Sequence, residues 1–143
     1  IITNEQKLFW FDWEHCGRRA GIDDLIWFLT DEWIELDPQY EHEIIKYFIR
    51  CFKEREVSVS LERYLWIFGT IQMCGILLKI IEYQKKYSKW MDRSYCLSFD
   101  LMGVNLVEAE RLVTKAARWA GQDKLTEPLF SWLEGVRRWL VQQ

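Results

Sequence analysis

The apolar positions of this chain follow a strand-like arrangement at its start and helical spacing almost everywhere after it. Ile1-Ile2-Thr3 and the run from Leu8 to Trp13 are short apolar stretches separated by the polar Asn4-Glu5-Gln6-Lys7, the pattern of two strands joined by a tight turn. Beyond Gly17 and Gly21, Leu25, Ile26, Phe28, Leu29, Trp33 and Ile34 recur at helical intervals, predicting a first helix from Asp23 to Leu36. Asp37-Pro38 supplies an N-cap and a first-turn residue for a second helix. Its apolar stripe is Ile44, Ile45, Phe48, Ile49 and Phe52, and it ends near Arg55.

Ser60 is placed to cap a third and longest helix, Leu61 to Tyr87, which is apolar almost all round between Tyr64 and Ile81. Asn105 with Glu108 three residues on has the form of a capping box. It opens a fourth helix with Leu106, Leu112, Val113 and Ala116 inward and a stop near Gly121. Thr126 is read as the cap of the last helix, through Leu129, Trp132, Leu133, Val136 and Leu140. The stretch from Ser88 to Met102 has no period and reads as a loop, and no internal repeat is found. The expected architecture is therefore mainly α. A short N-terminal β-hairpin (1–16) precedes a bundle of about five helices (23–143), in one domain spanning 1–143.

About 20 apolar residues suffice to cross a bilayer, so the third helix raises a membrane alternative. Gln72, Lys79, Gly69 and Gly75 interrupt its apolar run, and Glu62, Arg63 and the charged Glu82 to Lys86 stretch flank it closely. A central buried helix, with no membrane span, is the expectation.

Half of the residues are hydrophobic, with 9 Trp, 8 Phe and 6 Tyr, a composition that excludes a disordered chain. The 22 acidic and 19 basic residues leave a formal charge of -3 with no basic stretch, so nucleic acid is not an expected partner. Cys16, Cys51, Cys74 and Cys96 form no CxxC pair and lie by no His at zinc-like spacing, which reads as free thiols packed in a core. The start has neither a basic region nor an apolar core of the signal-peptide kind. With no Met and a strand already in progress, it reads as the tail of something longer. A cytoplasmic location is expected.

The segment richest in chemistry is Phe9 to Trp33, FWFDWEHCGRRAGIDDLIWFLTDEW, where a strand ends on Asp12-Trp13-Glu14 and a glycine-containing loop leads into an acidic-capped helix. Asp12, Glu14, Gly17, Asp24 and Leu25 match, position by position, a segment of the aminoglycoside phosphotransferase and choline kinase families. That segment reads hydrophobic, Asp, aromatic, Glu, then Gly, then an Asp-Leu opening a helix. The chain thus resembles the C-terminal part of such a small-molecule kinase. The resemblance implies that Asp12 is a ligand of the Mg²⁺ ion that bridges ATP phosphates, since hard cations take oxygen ligands. Glu14, two residues on and on the same face of a strand, would assist it. Asp24 would brace the catalytic loop through its backbone. Where the family often has Gly-Asp-Pro, this chain has Arg19-Ala20-Gly21.

The resemblance covers about the first 35 residues. The family's glycine-rich loop, strand Lys and catalytic loop all precede this segment and are not in the chain, so these residues by themselves are expected to hold no catalytic base. About ten residues separate Glu14 from the helix, too few for a protein kinase activation segment, which points to a small acceptor. Asp31, Glu32, Glu35 and Asp37 form an acidic edge that reads first as a solvated helix face and second as an attraction for an amine-bearing substrate. Trp27, Trp33, Trp66 and Trp90 are the residues able to furnish a cation-π surface, with Trp27 and Trp66 expected in the core. His15 and His42 are given no role.

The resulting expectation is the substrate- and metal-binding C-terminal portion of an ATP-dependent phosphotransferase. It acts on a hydroxyl of an aminoglycoside- or choline-like molecule, with Mg²⁺ and ATP, and is completed by an N-terminal nucleotide-binding part. Asp12 and Glu14 are the metal residues, and Asp31, Glu35, Trp27 and Trp33 are candidates for the acceptor. The rival from another class is a non-catalytic helical interaction module or a kinase relic.

Overall fold

The computed structural model describes residues 22–31, 34–53, 61–90 and 105–143, apart from the side chains of 52 and 53, together with the backbone alone of 2–4 and 7–9. Those two backbone segments pair antiparallel, Ile2 opposite Phe9 and Asn4 opposite Lys7. The rest of the described chain is mainly helical: α1 (Ile22–Thr30), α2 (Pro38–Lys53), α3 (Leu61–Tyr87), α4 (Leu106–Ala120) and α5 (Leu129–Leu140).

Several helix ends have a local reason, while the Ser60 cap expected for α3 lies outside the described residues. At the head of α2, Asp37 Oδ1 accepts from the Gln39 N–H at 2.8 Å and Asp37 O accepts from the Glu41 N–H, while Pro38 gives up a donor that a first turn does not need. The expected capping box opens α4: Asn105 Oδ1 accepts from Glu108 N–H at 2.9 Å, and Glu108 Oε2 accepts from Asn105 N–H at 3.0 Å. The first helix is shorter than its apolar spacing predicts. It stops at Thr30, not Leu36, because Asp31 turns its carboxylate to accept from Ile34 N–H at 3.1 Å and so draws the backbone out of the helical ladder.

Thr126 also differs from expectation, since α5 opens at Pro128 without a side-chain cap. The buried Thr126 hydroxyl instead donates backward, to Ala120 O and Asp123 O at 3.0 Å each, and so closes the Ala120 carbonyl at the end of α4. The same turn is tied to the start of α3 by Arg63, whose Nε donates to Asp123 Oδ2 at 2.7 Å. That contact holds the Asp123 carboxyl below the usual carboxylate range.

One buried cluster draws on all five helices. Leu65, Met73 and Leu77 of α3 meet Val113 and Trp119 of α4, with Leu29 of α1, Ile45 of α2 and Leu133 of α5 around them. Ala109, Ala116 and Ala120 recur on the inner face of α4, and small side chains there let α3 and α4 lie close. Each fully buried leucine contributes about 1.5–3 kcal/mol relative to an exposed one.

α3 is only partly the buried central helix expected of it. Its most apolar 18-residue window has a mean hydropathy of 1.7, long and apolar enough to cross a membrane by length and composition alone, yet 39% of that window is buried. The inward residues face α1 and α4, whereas Phe68, Ile71 and Leu78 form an outward stripe at helical spacing and are half exposed. Gly75 lies on that same outward stripe, where an added Cβ would meet nothing within 4 Å.

Of the cysteines read as core thiols, Cys74 is buried and Cys51 half-buried, while Cys16 and Cys96 lie outside the described residues. Burial pushes the Cys74 thiol up to about 11, so at pH 8 almost none of it is the reactive thiolate. Mass spectrometry after iodoacetamide treatment at pH 8 should find Cys74 unmodified in the folded protein and modified once urea is added. Rapid labelling of Cys74 without denaturant would contradict this packing.

Candidate functional site

The start of α1 is held against α3. Tyr64 donates its hydroxyl proton to Asp23 Oδ1 at 3.1 Å and stacks on Phe68, ring centroids 4.1 Å apart. Partial burial, reinforced by the Asp23 hydrogen bond and charge, raises the Tyr64 phenol above its ordinary range. Asp24, on the same first turn, is exposed. Any chemistry carried by the residues just before α1 therefore attaches to a helix whose first turn is fixed by a tertiary hydrogen bond. Asp12, Glu14 and Trp33 themselves lie outside the described residues.

Beside that first turn, α1 and α3 enclose an open groove of about 300 Å³ lined by Asp23, Ile26, Trp27, Phe68, Ile71 and Gln72. Trp27, expected in the core, is 57% exposed and forms part of this wall. The reason is rotational. With Ile22, Leu25, Ile26 and Leu29 taking the inward face of a nine-residue helix, position 27 falls on the outer side, and Phe28 is half exposed beside it. Gln72 Nε2 is buried and has no hydrogen-bond partner among the described residues. The groove thus combines aromatic and aliphatic walls with one carboxylate and one amide donor, the composition of a small-ligand site.

Of the acidic edge, Asp31, Glu35 and Asp37 do not line the groove, and Glu32 lies outside the described residues. Asp31 accepts from the backbone of Ile34, Asp37 caps α2, and Glu35, 80% exposed, pairs with Arg111 at 3.0 Å. The reading of this edge as a solvated face fits those contacts better than a substrate-binding cluster does. Nor do the described members of the aromatic set, Trp27, Trp66 and Trp90, meet one another. Trp27 lies on the groove, Trp66 packs edge-on against Trp119 with centroids 4.9 Å apart, and Trp90 leans on Trp139 at 6.2 Å. Among the described residues no group of three or more His, Cys, Asp or Glu is placed to hold a metal ion.

A second feature escaped the sequence reading: a buried ion centre between α1, α2 and α4. Glu41, 1% exposed, receives Trp119 Nε1–H at 2.8 Å and Arg118 at 2.8 Å on Oε1, while Lys115 Nζ stands 3.3 Å from Oε2. Lys115 also donates to Leu29 O at 2.7 Å, closing the end of α1. Burial pulls the Lys115 ammonium below the usual lysine range, against the counter-pull of the Glu41 carboxylate. The only signal in the sequence was charge at inward-facing positions of otherwise amphipathic helices. The centre braces α1 from its C-terminal end, as Tyr64 does from its N-terminal end. No family model, no curated protein and no solved structure matches this chain.

Proposed function

We propose that the chain is the metal- and acceptor-binding C-terminal portion of an ATP-dependent small-molecule phosphotransferase, with Asp12 and Glu14 as the metal residues. The observation that carries the reading is the opening of α1. The resemblance requires an Asp-Leu pair at the head of a helix soon after the Asp-aromatic-Glu triplet, and α1 begins on Ile22-Asp23-Asp24-Leu25. Asp12 and Glu14 lie outside the described residues, and the hairpin that would deliver them is part of this proposal. Both are hard oxygen donors of the kind Mg²⁺ takes, and a bound Mg²⁺ would neutralise the ATP phosphates. Asp24, exposed on the first turn of α1, is assigned to bracing the catalytic loop of the upstream part by accepting from its backbone. The acceptor, a hydroxyl-bearing small molecule, is assigned to the groove at Trp27, which Asp31 and Glu35 do not line.

The test uses the natural-length protein with its upstream nucleotide-binding part. Calorimetry should show Mg²⁺-dependent ATP binding that falls at least tenfold in Asp12→Ala, with Glu35→Ala unchanged. Binding that is absent, or indifferent to Asp12, would remove the phosphotransferase reading.

A second reading, a non-catalytic helical interaction module, is favoured by one observation. The outward stripe of Phe68, Ile71 and Leu78 on α3, with Trp27 and Phe28 of α1, leaves large apolar side chains exposed.

A further inference from the structure

A different groove, on the side of the bundle where α3 meets α5, has features that the packing of this chain does not require. Leu78, Ile81 and Lys85 of α3 form one wall, and Trp132, Gly135 and Trp139 of α5 form the other, around an open volume of about 340 Å³. Residues 132, 135 and 139 share one helix face, so Gly135 is a notch between two indoles one turn to either side. A Cβ at Gly135 would meet nothing within 4 Å. Glycine inside a helix is destabilising relative to alanine, and here no neighbouring atom demands it. What its bare backbone does is keep the groove floor open. Trp139 is backed by Trp90 at 6.2 Å, which fixes that wall.

The groove carries a single charge of its own. Lys85 makes no ion pair among the described residues, and the nearby Glu134 is already paired with Arg137 at 3.0 Å. An apolar cleft flanked by indoles and ending in one uncompensated ammonium is complementary to an apolar chain with one anionic head. We propose that the α3/α5 groove binds a single-chain carboxylate amphiphile of the fatty-acid type, its chain between Trp132 and Trp139 over Gly135 and its carboxylate at Lys85. This site stands apart from the groove at Trp27 and does not rest on the phosphotransferase reading.

The experiment titrates the chain with decanoate below its micelle concentration by calorimetry, with decyltrimethylammonium as the same tail bearing the opposite head. Gly135→Leu fills the notch where space is open, so its melting curve should match or exceed that of the parent. Its decanoate affinity should fall at least tenfold. Lys85→Gln should weaken decanoate several-fold and abolish the preference over decyltrimethylammonium. No binding of decanoate, equal affinity in Gly135→Leu, or no head-group preference in the parent protein would each overturn the assignment.

Discussion

Replacing Gly69 by alanine should destabilise the protein by about 2–3 kcal/mol, lowering its melting temperature by about 8 °C. The added Cβ would overlap Cζ3 of Trp119 and lie 2.7 Å from its Cε3. The indole has nowhere to retreat: it is fully buried, its Nε1–H is held by Glu41 at 2.8 Å, and the ring of Trp66 abuts it edge-on. The overlap therefore outweighs the gain of about 1 kcal/mol that alanine brings to a helix interior. Gly75, six residues on in the same helix, provides the internal control. With open space around it, Gly75→Ala should be neutral or stabilising by up to about 1 kcal/mol. Thermal melts of the two variants should move in opposite directions, and a Gly69→Ala protein as stable as Gly75→Ala would refute the packing described for Trp119.

The second large effect is expected at Glu41. Glu41→Gln keeps the shape and leaves an acceptor for Trp119, but it removes the negative charge that faces Lys115 and Arg118. Taking one partner from a buried ion pair typically costs about 3–5 kcal/mol, because the remaining charge stays buried without compensation. Urea denaturation should show a loss of that size. Adding Lys115→Met to the same protein should return a large part of it, since a buried pair replaced as a whole by apolar groups is often near neutral. The recovery should be incomplete, because Lys115 also closes Leu29 O. A Glu41→Gln variant within about 1 kcal/mol of the parent would show that the centre is not desolvated as its burial indicates.

These two sites mark where sequence patterning stops being informative. Helix positions governed by contacts between near neighbours were readable: Asp37-Pro38 at the head of α2, Asn105 and Glu108 at the head of α4, and the extent of α3. Features set by residues far apart in sequence were not. Glu41 shares a helix face with Ile45 and Ile49, but its partners are 74 or more positions away and an acidic residue in a first turn is ordinary at the surface, so that local signal is weak. Trp27 was assigned inward because its neighbours are apolar, although a short helix with four other inward residues has no room for it. Thr126 matched a capping pattern but serves the preceding helix. For the candidate site, the helix opening at Ile22-Asp23-Asp24-Leu25 was legible, while the groove at Trp27 depends on how α1 lies against α3.

The lysine that closes α1 lies 86 positions after the carbonyl it reaches. During synthesis from the N-terminus, Leu29 therefore emerges long before Lys115 exists, and α1 waits with its last turn unfinished and its inward aliphatic side chains uncovered. Nine residues are too few to hold a helix alone in water. α1 is thus made long before it is completed, and the nascent chain must be kept from associating through Leu25, Ile26 and Leu29, the side chains that end buried, until α4 arrives.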